Sequence, residues 1–462
     1  MTRALVASAR RIAPLAWPVF VGQLSVLAFS TVDTVLVARH GAADLAALAV
    51  GTAAYVTTFI GFMGVVLALG PIVGQLHGAG RDADAGRQLH QAVWIAIALS
   101  FAGSLLLVFP GAFLALAQLS PPVEAKARAY LLALAFSLPA SLLFAAYRGF
   151  NVAVSRPKAV MALQIGGLAL KLPLSAALIF GLPALGLPAL GVLGCGIATG
   201  IAMWAQVLGA WIVLRRDPHY ARYAIAGRGL DAPERRALAA QLRLGLGLPM
   251  GAAILVEVSG FTLMAVFIAR LGTTPVGGHQ IAANLVSMLY MVPLALANGT
   301  ATLVAQRIGA GDLRDAHRLG WHGLAIGALL AALLGGALYF ARATVVGLYT
   351  RDAAVAAAAL PLLAWVALFH IADAMQTVAA FVLRAWRVAL LPLLVNAGAL
   401  WGVGLVGGYL LAFDRLGVTP AALRGARGFW FAATLGLVLA ALAQAAILAR
   451  RRRSRVSPAP AG

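Results

Sequence analysis

Three carboxylates stand where a carboxylate is hard to keep. Asp33, Glu257 and Asp373 each fall well inside an apolar run long enough to cross a bilayer, while the other 11 acids lie in polar segments or at the ends of such runs. An ionised side chain at mid-bilayer costs about 2.5–3.5 kcal/mol on insertion scales. Such groups therefore face the protein interior or a watered cavity, where they can bind a cation or exchange a proton. Lys171 is the one basic residue in mid-span. Pairing it with Asp33 would neutralise both, either as a static buried pair or as one that opens when substrate or a proton arrives.

The neighbours suggest what the acids handle. Met250, Glu257 and Met264 are spaced by seven and share a helix face, with Gly260 and Phe261 beside them. A Met/Phe stripe alone reads as packing; an acid within it suits a flat organic cation. Phe369, Asp373, Gln376 and Thr377 share a second face, and Gln280, Asn284, Ser287, Met288 and Met291 a third. Glu257 and Asp373, with amide and hydroxyl oxygens nearby, form a candidate Na⁺ site or a pair sharing a proton. His279 and His370 are read as satisfied polar contacts rather than proton relays. The substrate cleft is expected to draw on Phe261, Met264, Asn284, Ser287, Met288, Phe369 and Gln376.

The elements that carry these residues are membrane helices. Of 462 residues 62% are hydrophobic and 11% charged, with mean hydropathy +0.93; a soluble domain has about a quarter charged residues. The single cysteine, Cys195, excludes an internal disulfide and a Cys-based metal site. Apolar runs fall at roughly 12–38, 45–76, 90–116, 129–153, 160–182 and 190–214, then at 243–271, 277–308, 318–342, 355–384, 389–413 and 425–449. The first is too long for a signal peptide and reads as a retained helix. With both termini in the cytoplasm, inside segments carry 25 Arg and Lys against 9 outside. The net charge of +21 thus reads as topology, and no nucleic-acid partner is expected.

The two sets of six repeat one another. Leu246–Gly311 lies on Leu15–Gly80 at a shift of 231 without a gap, matching Pro18 with Pro249, Ala38-Arg39 with Ala269-Arg270 and Gly78-Ala79-Gly80 with Gly309-Ala310-Gly311. Asp33 falls opposite Met264, two turns from the position of Glu257. Gly191-Val192-Leu193-Gly194 resembles Gly425-Ala426-Arg427-Gly428 at a shift of 234. An even helix number makes the repeat parallel, with a substrate cleft between the halves. The expected organisation is an amino-terminal six-helix lobe over 1–214, a cytoplasmic linker over 215–243, a second lobe over 244–449 and a basic, disordered tail over 450–462.

Over roughly Pro14 to Ile447 the chain resembles the multidrug and toxic compound extrusion (MATE) family, NorM-like branch. The resemblance rests on Leu15-Ala16-Trp17-Pro18, Val32-Asp33-Thr34-Val35, Gly78-Ala79-Gly80, Arg148-Gly149-Phe150, Gly278-His279-Gln280-Ile281-Ala282 and Asp373-Ala374-Met375-Gln376, in that order. It implies an all-α, V-shaped fold of twelve transmembrane helices in two pseudo-symmetric lobes. It further implies an inner-membrane antiporter that expels organic cations against Na⁺ or H⁺ by alternating access. Glu257 and Asp373 would then be a cation site, with Asp33 taking part in drug binding or protonation. Phe369 stands where some relatives have a Tyr. Lys171 and Ser175 stand where some have an Asn and an Asp of a second Na⁺ site, which favours a charge switch over Na⁺ in that half. No organic cofactor is expected; the partners are small organic cations and membrane lipids, and the protein is expected to work as a monomer. A lipid-linked precursor flippase would need arginines for phosphates in its cleft. A membrane enzyme would need His/Asp clusters or phosphate-binding motifs, and no H-E-x-x-H or Walker motif is present.

Overall fold

The computed structural model describes residues 2–117, 119–182, 186–225, 231, 235–236, 245–415 and 417–451. Among these residues twelve helices are long and apolar enough to cross a membrane. They are α1 (Arg3–His40), α2 (Ala42–Gly78, with one break at Ala68), α3 (Asp82–Val108), α4 (Pro121–Ala153), α5 (Pro157–Phe180) and α6 (Val192–Arg216). The second set is α7 (Gly247–Ala269), α8 (Thr273–Gly309), α9 (Leu313–Tyr349), α10 (Ala353–Ala385), α11 (Leu390–Ala412) and α12 (Ala426–Arg450). The all-α, twelve-span expectation holds. Several helices outrun their apolar runs: the run at 318–342 belongs to a helix of 37 residues, about 55 Å long at 1.5 Å per residue. Polar flanks such as Leu313–His317 extend the helix beyond the stretch that hydropathy detects.

The repeat is visible in the helix ends. The polar turn after α2 closes with Gly80 at φ 71° and an Arg81 N–H to Leu76 carbonyl bond; the turn after α8 closes with Gly311 at φ 78° and the same bond from Asp312 to Arg307. These are left-handed caps that satisfy orphan carbonyls, and glycine adopts that φ without a Cβ penalty. The ends of α4 and α10 are matched too, with Ser155 and Arg387 both left-handed.

By contact the chain divides into two units, Pro18–Gly251 on one hand and Met1–Trp17 with Ala252–Gly462 on the other. Helices α1 and α7 therefore each change unit along their length. In the first unit α4 is the central post, packed by α2, α3 and α6, and its inward face (Tyr130, Leu131, Leu134, Leu138, Leu142) is fully buried. In the second unit α10 plays that part against α8, α9 and α12. The start of α1 is built into this second unit. Ile12 is buried with Leu296 and Val304, and Gly299 of α8 leaves room for the backbone at Ile12 and Ala16. Of the expected linker, 226–230, 232–234 and 237–243 lie outside the described residues. Its first part, Pro218–Tyr223, is a 3₁₀ turn held by Tyr220 O–H to Asn151. The expected tail lies outside the described residues beyond Arg451.

Asp315 fixes α1 to the second unit. It is buried and takes Arg11 through two bonds of 2.7 and 3.1 Å, with Arg307 at 3.1 Å and Arg318 at 2.5 Å. Its counterpart at the 231 shift, Asp84, pairs among the described residues with Arg81 and Arg87, three positions to either side of it. Asp315→Ala should lower stability by about 2 kcal/mol, below the full cost of breaking a buried pair because the arginines are partly hydrated. Asp84→Ala should lie within about 0.5 kcal/mol of wild type. Thermal unfolding of the detergent-solubilised variants measures both, and equal losses would contradict the assignment.

Candidate functional site

Helix α7 supplies one wall of a pocket because Glu257, Gly260, Phe261 and Met264 recur at helical spacing on a single face. Helix α10 adds Phe369 and Asp373, one turn apart. Leu400, Gly404 and Leu405 of α11 and Ala433 and Leu437 of α12 close it. The pocket has an empty volume of about 480 Å³, its open mouth included. It lies wholly within the unit Ala252–Gly462. The α11 wall is unusual: Ala397–Gly407 is wound as a π-helix, whose wider turn sets Leu400, Gly404 and Leu405 side by side.

The two acids have no neutralising partner in contact. Asp373 is 5% exposed, and among the described residues neither carboxylate accepts a hydrogen bond or forms an ion pair. What acts on them is charge at longer range. Glu257 and Asp373 repel one another, and the Arg384 guanidinium attracts Glu257. Arg384 is the buried penultimate residue of α10, with its guanidinium 4.5 Å from the Phe381 ring centroid. Tyr290 of α8 stands in the same field, near the Thr377 side chain.

Behind the acids lies an amide network. Gln376 Nε2 donates to Asn396 Oδ1 at 3.2 Å, and Gln444 Nε2 donates to the same oxygen at 2.8 Å. All three amides are buried and join α10, α11 and α12. Phe261 and Phe369 back onto Trp430, with ring centroids 6.0 and 5.4 Å from it. His279 packs against Phe261 and Trp430. His279 and His370 are buried, and neither ring nitrogen of either has a hydrogen-bond partner among the described residues. The expectation of satisfied polar contacts is therefore corrected: these rings are held by packing. Sequence reasoning missed Tyr290, Arg384, Asn396, Trp430 and Gln444. The signal that could have found Asn396 and Gln444 is an amide at the apolar centre of a span.

The remaining predicted residues fall elsewhere. Asn284, Ser287 and Met288 are exposed and do not line this pocket; Asn284 Oδ1 accepts from Tyr349 O–H at 2.7 Å. Met250 is buried in the other unit. Asp33 also belongs to that unit, where Lys171 Nζ donates to its Oδ2 at 2.6 Å. Lys171 is 1% exposed, and its ammonium lies 4.6 Å from the Phe29 ring centroid. The Cys195 thiol lies beside the carboxylate, and the Ser175 hydroxyl is buried with no hydrogen-bond partner among the described residues. One unit thus carries an internally neutralised acid, the other two acids short of positive charge.

A family model described as MatE matches residues 18–177 and 249–410. Its two matches begin at Pro18 and Pro249, the same 231 apart as the internal repeat. The chain is 40% identical over 433 residues to the probable multidrug resistance protein NorM of Aromatoleum aromaticum, covering 92% of this chain and 91% of that protein. It is 32% identical over 451 residues to the multidrug resistance protein PmpM of Pseudomonas aeruginosa, covering 97% and 92%. A crystal structure of a mutant of the Vibrio cholerae MATE transporter VcmN superposes with a TM-score of 0.87 at 19% identity, covering 98% of this chain and 99% of that one.

The buried pair gives a direct test of its own coupling. Lys171→Met leaves Asp33 uncompensated and should destabilise the protein by about 3 kcal/mol. Combining it with Asp33→Asn should recover most of that loss, a coupling that a double-mutant cycle of thermal stabilities reads out. Additive losses would show that the two side chains do not depend on one another.

Proposed function

The chain belongs to the MatE family, and from that premise we propose that it is a multidrug efflux antiporter that expels lipophilic organic cations in exchange for Na⁺ or H⁺. It is a multi-pass membrane transporter and not an enzyme. We place it in the bacterial inner membrane with both termini in the cytoplasm, working as a monomer among lipids, its two lobes alternating in access. The observation that carries this reading is the pocket of α7, α10, α11 and α12. Two carboxylates stand there with no cation in contact, among aromatic, thioether and aliphatic groups.

The chemistry follows from charge. With both acids ionised and Arg384 in range, the region holds one negative charge more than it neutralises. A monovalent organic cation restores the balance, its flat face against Phe261 and Phe369 and its polarisable contact at Met264. One Na⁺ ligated by Glu257 and Asp373, or one proton shared between them, restores it equally well. Since both ligands satisfy the same deficit, binding of one opposes the other, and that opposition is what exchange requires. Asn284, Ser287, Met288 and Gln376 remain proposed cleft residues, engaged as the cation moves between its binding positions. In the other lobe Asp33 carries its own counter-cation. Lys171 acts there as a switch that yields the carboxylate when a substrate cation or a proton arrives.

The flippase alternative fits less well. A lipid pyrophosphate needs bidentate arginines in its cleft, and the pocket is lined by acids instead, with Arg384 set apart from its lining residues.

Ethidium efflux from inverted vesicles, driven by an imposed Na⁺ gradient and separately by a pH gradient, tests the proposal. Wild type should transport under at least one gradient. Glu257→Gln and Asp373→Asn should each reduce driven efflux at least about tenfold, as expected when one partner of a coupled charge site is lost, with unchanged membrane insertion. Full efflux in both variants would overturn the coupling assignment, and no efflux by wild type under either gradient would favour the flippase.

A further inference from the structure

The backbone just before Glu257 is gripped from α11. Trp401 Nε1 donates to the Val256 carbonyl oxygen at 3.0 Å. The same carbonyl takes the Ser259 hydroxyl at 3.2 Å, and that hydroxyl also bonds the Leu255 carbonyl. Gly260 lies under the indole: a Cβ there would sit 3.4 Å and 3.5 Å from two atoms of the Trp401 ring and meet nothing else within 4 Å. The approach of α11 to α7 is thus set by one indole lying on one bare glycine, with the indole N–H closing on the peptide between Val256 and Glu257.

Two features make this more than packing. Glu257 accepts no hydrogen bond of its own among the described residues, so its carboxylate is aimed by the α7 backbone alone. The grip also comes from the π-wound stretch Ala397–Gly407. π-Helical winding is rare and frequently found at functional sites, and in this stretch Trp401 faces outward, 42% exposed, while Leu400, Gly404 and Leu405 face the pocket. Tightening or slackening this turn would move the pocket wall and the indole together.

We propose that Trp401 is a positioning residue for Glu257, its indole N–H holding the Val256–Glu257 peptide so that the carboxylate is aimed into the pocket. This rests on the reading of Glu257 as a coupling acid. Trp401 touches neither the coupling ion nor the drug in this account, so its loss should change how tightly the ion is held more than how fast the loaded protein turns over.

The test is the half-saturating concentration of whichever ion drives ethidium transport, measured in proteoliposomes. Trp401→Phe keeps the ring and removes the N–H; losing one such hydrogen bond should raise half-saturation about three- to tenfold, with a smaller change in maximal rate. Trp401→Met, which removes the ring and the N–H together, should shift half-saturation in the same direction and serves if Trp401→Phe fails to insert. Wild-type half-saturation in both variants, with only yield or melting temperature reduced, would make Trp401 an interfacial anchor and overturn the proposal. Glu257→Gln in the same assay separates the two readings. If it retains wild-type ion dependence, the coupling role of Glu257 fails and the Trp401 proposal with it. If it loses ion dependence while Trp401→Phe and Trp401→Met keep theirs, only the positioning role fails.

Discussion

A carboxylate withdrawn from water must be met by positive charge, and a bilayer offers none. That constraint organises both halves of this protein. It explains why Asp33, Glu257 and Asp373 lie on inward helix faces rather than toward lipid. It also explains why the helices carrying them have polar and aromatic neighbours where the rest of the span is aliphatic. Asp373 sits on α10, the post of its unit. A buried charge on the best-packed helix cannot relieve itself by tilting out to water, so its neutralisation has to come from a side chain or a ligand.

The two units answer the same constraint differently. Around Asp33 the answer is supplied by the chain itself: Lys171 donates to the carboxylate and its ammonium also lies near the face of Phe29. Breaking such a pair strands a charge in a low-dielectric interior, so it opens only when something replaces the lysine. Around Glu257 and Asp373 the answer is incomplete. Arg384 attracts one acid from a distance, and the amides of Gln376, Asn396 and Gln444 spend their hydrogen bonds on one another instead of on Asp373. A duplicated scaffold has kept its caps, its posts and its glycine turns, while the charges placed inside it have diverged.

How much of this was legible in the sequence follows from what hydropathy can register. A charge in an apolar run is conspicuous, so Asp33, Lys171, Glu257 and Asp373 stood out, and helical spacing then brought in Phe261, Met264 and Phe369. Asn396 and Gln444 each carry a local sign, an amide inside an apolar run, but their hydrogen bond spans 48 residues, so nothing local showed that they meet. Arg384 was hidden for the opposite reason: it stands at the end of an apolar run, where an arginine reads as a loop residue. Its burial depends on α10 continuing to Ala385 and on Phe381 lying one turn before it. The change of unit within α1 was invisible as well, since an unbroken helix gives no sign of which neighbours it has along its length.

Seen from the pocket, the π-wound part of α11 links the local and the global levels. Its composition, with glycine at 398, 402, 404 and 407, removes the side chains that would favour a tighter helix and lets the backbone widen. The widened turn brings two leucines and a glycine to the acids on one side and presents Trp401 to Val256 on the other. An α-helix in that place would keep Leu400 and Gly404 on one face but turn Leu405 about 140° away from Leu400, since it has 3.6 residues per turn. The irregularity is thus a consequence of asking one short helix both to line a cation pocket and to hold the backbone that aims its acid.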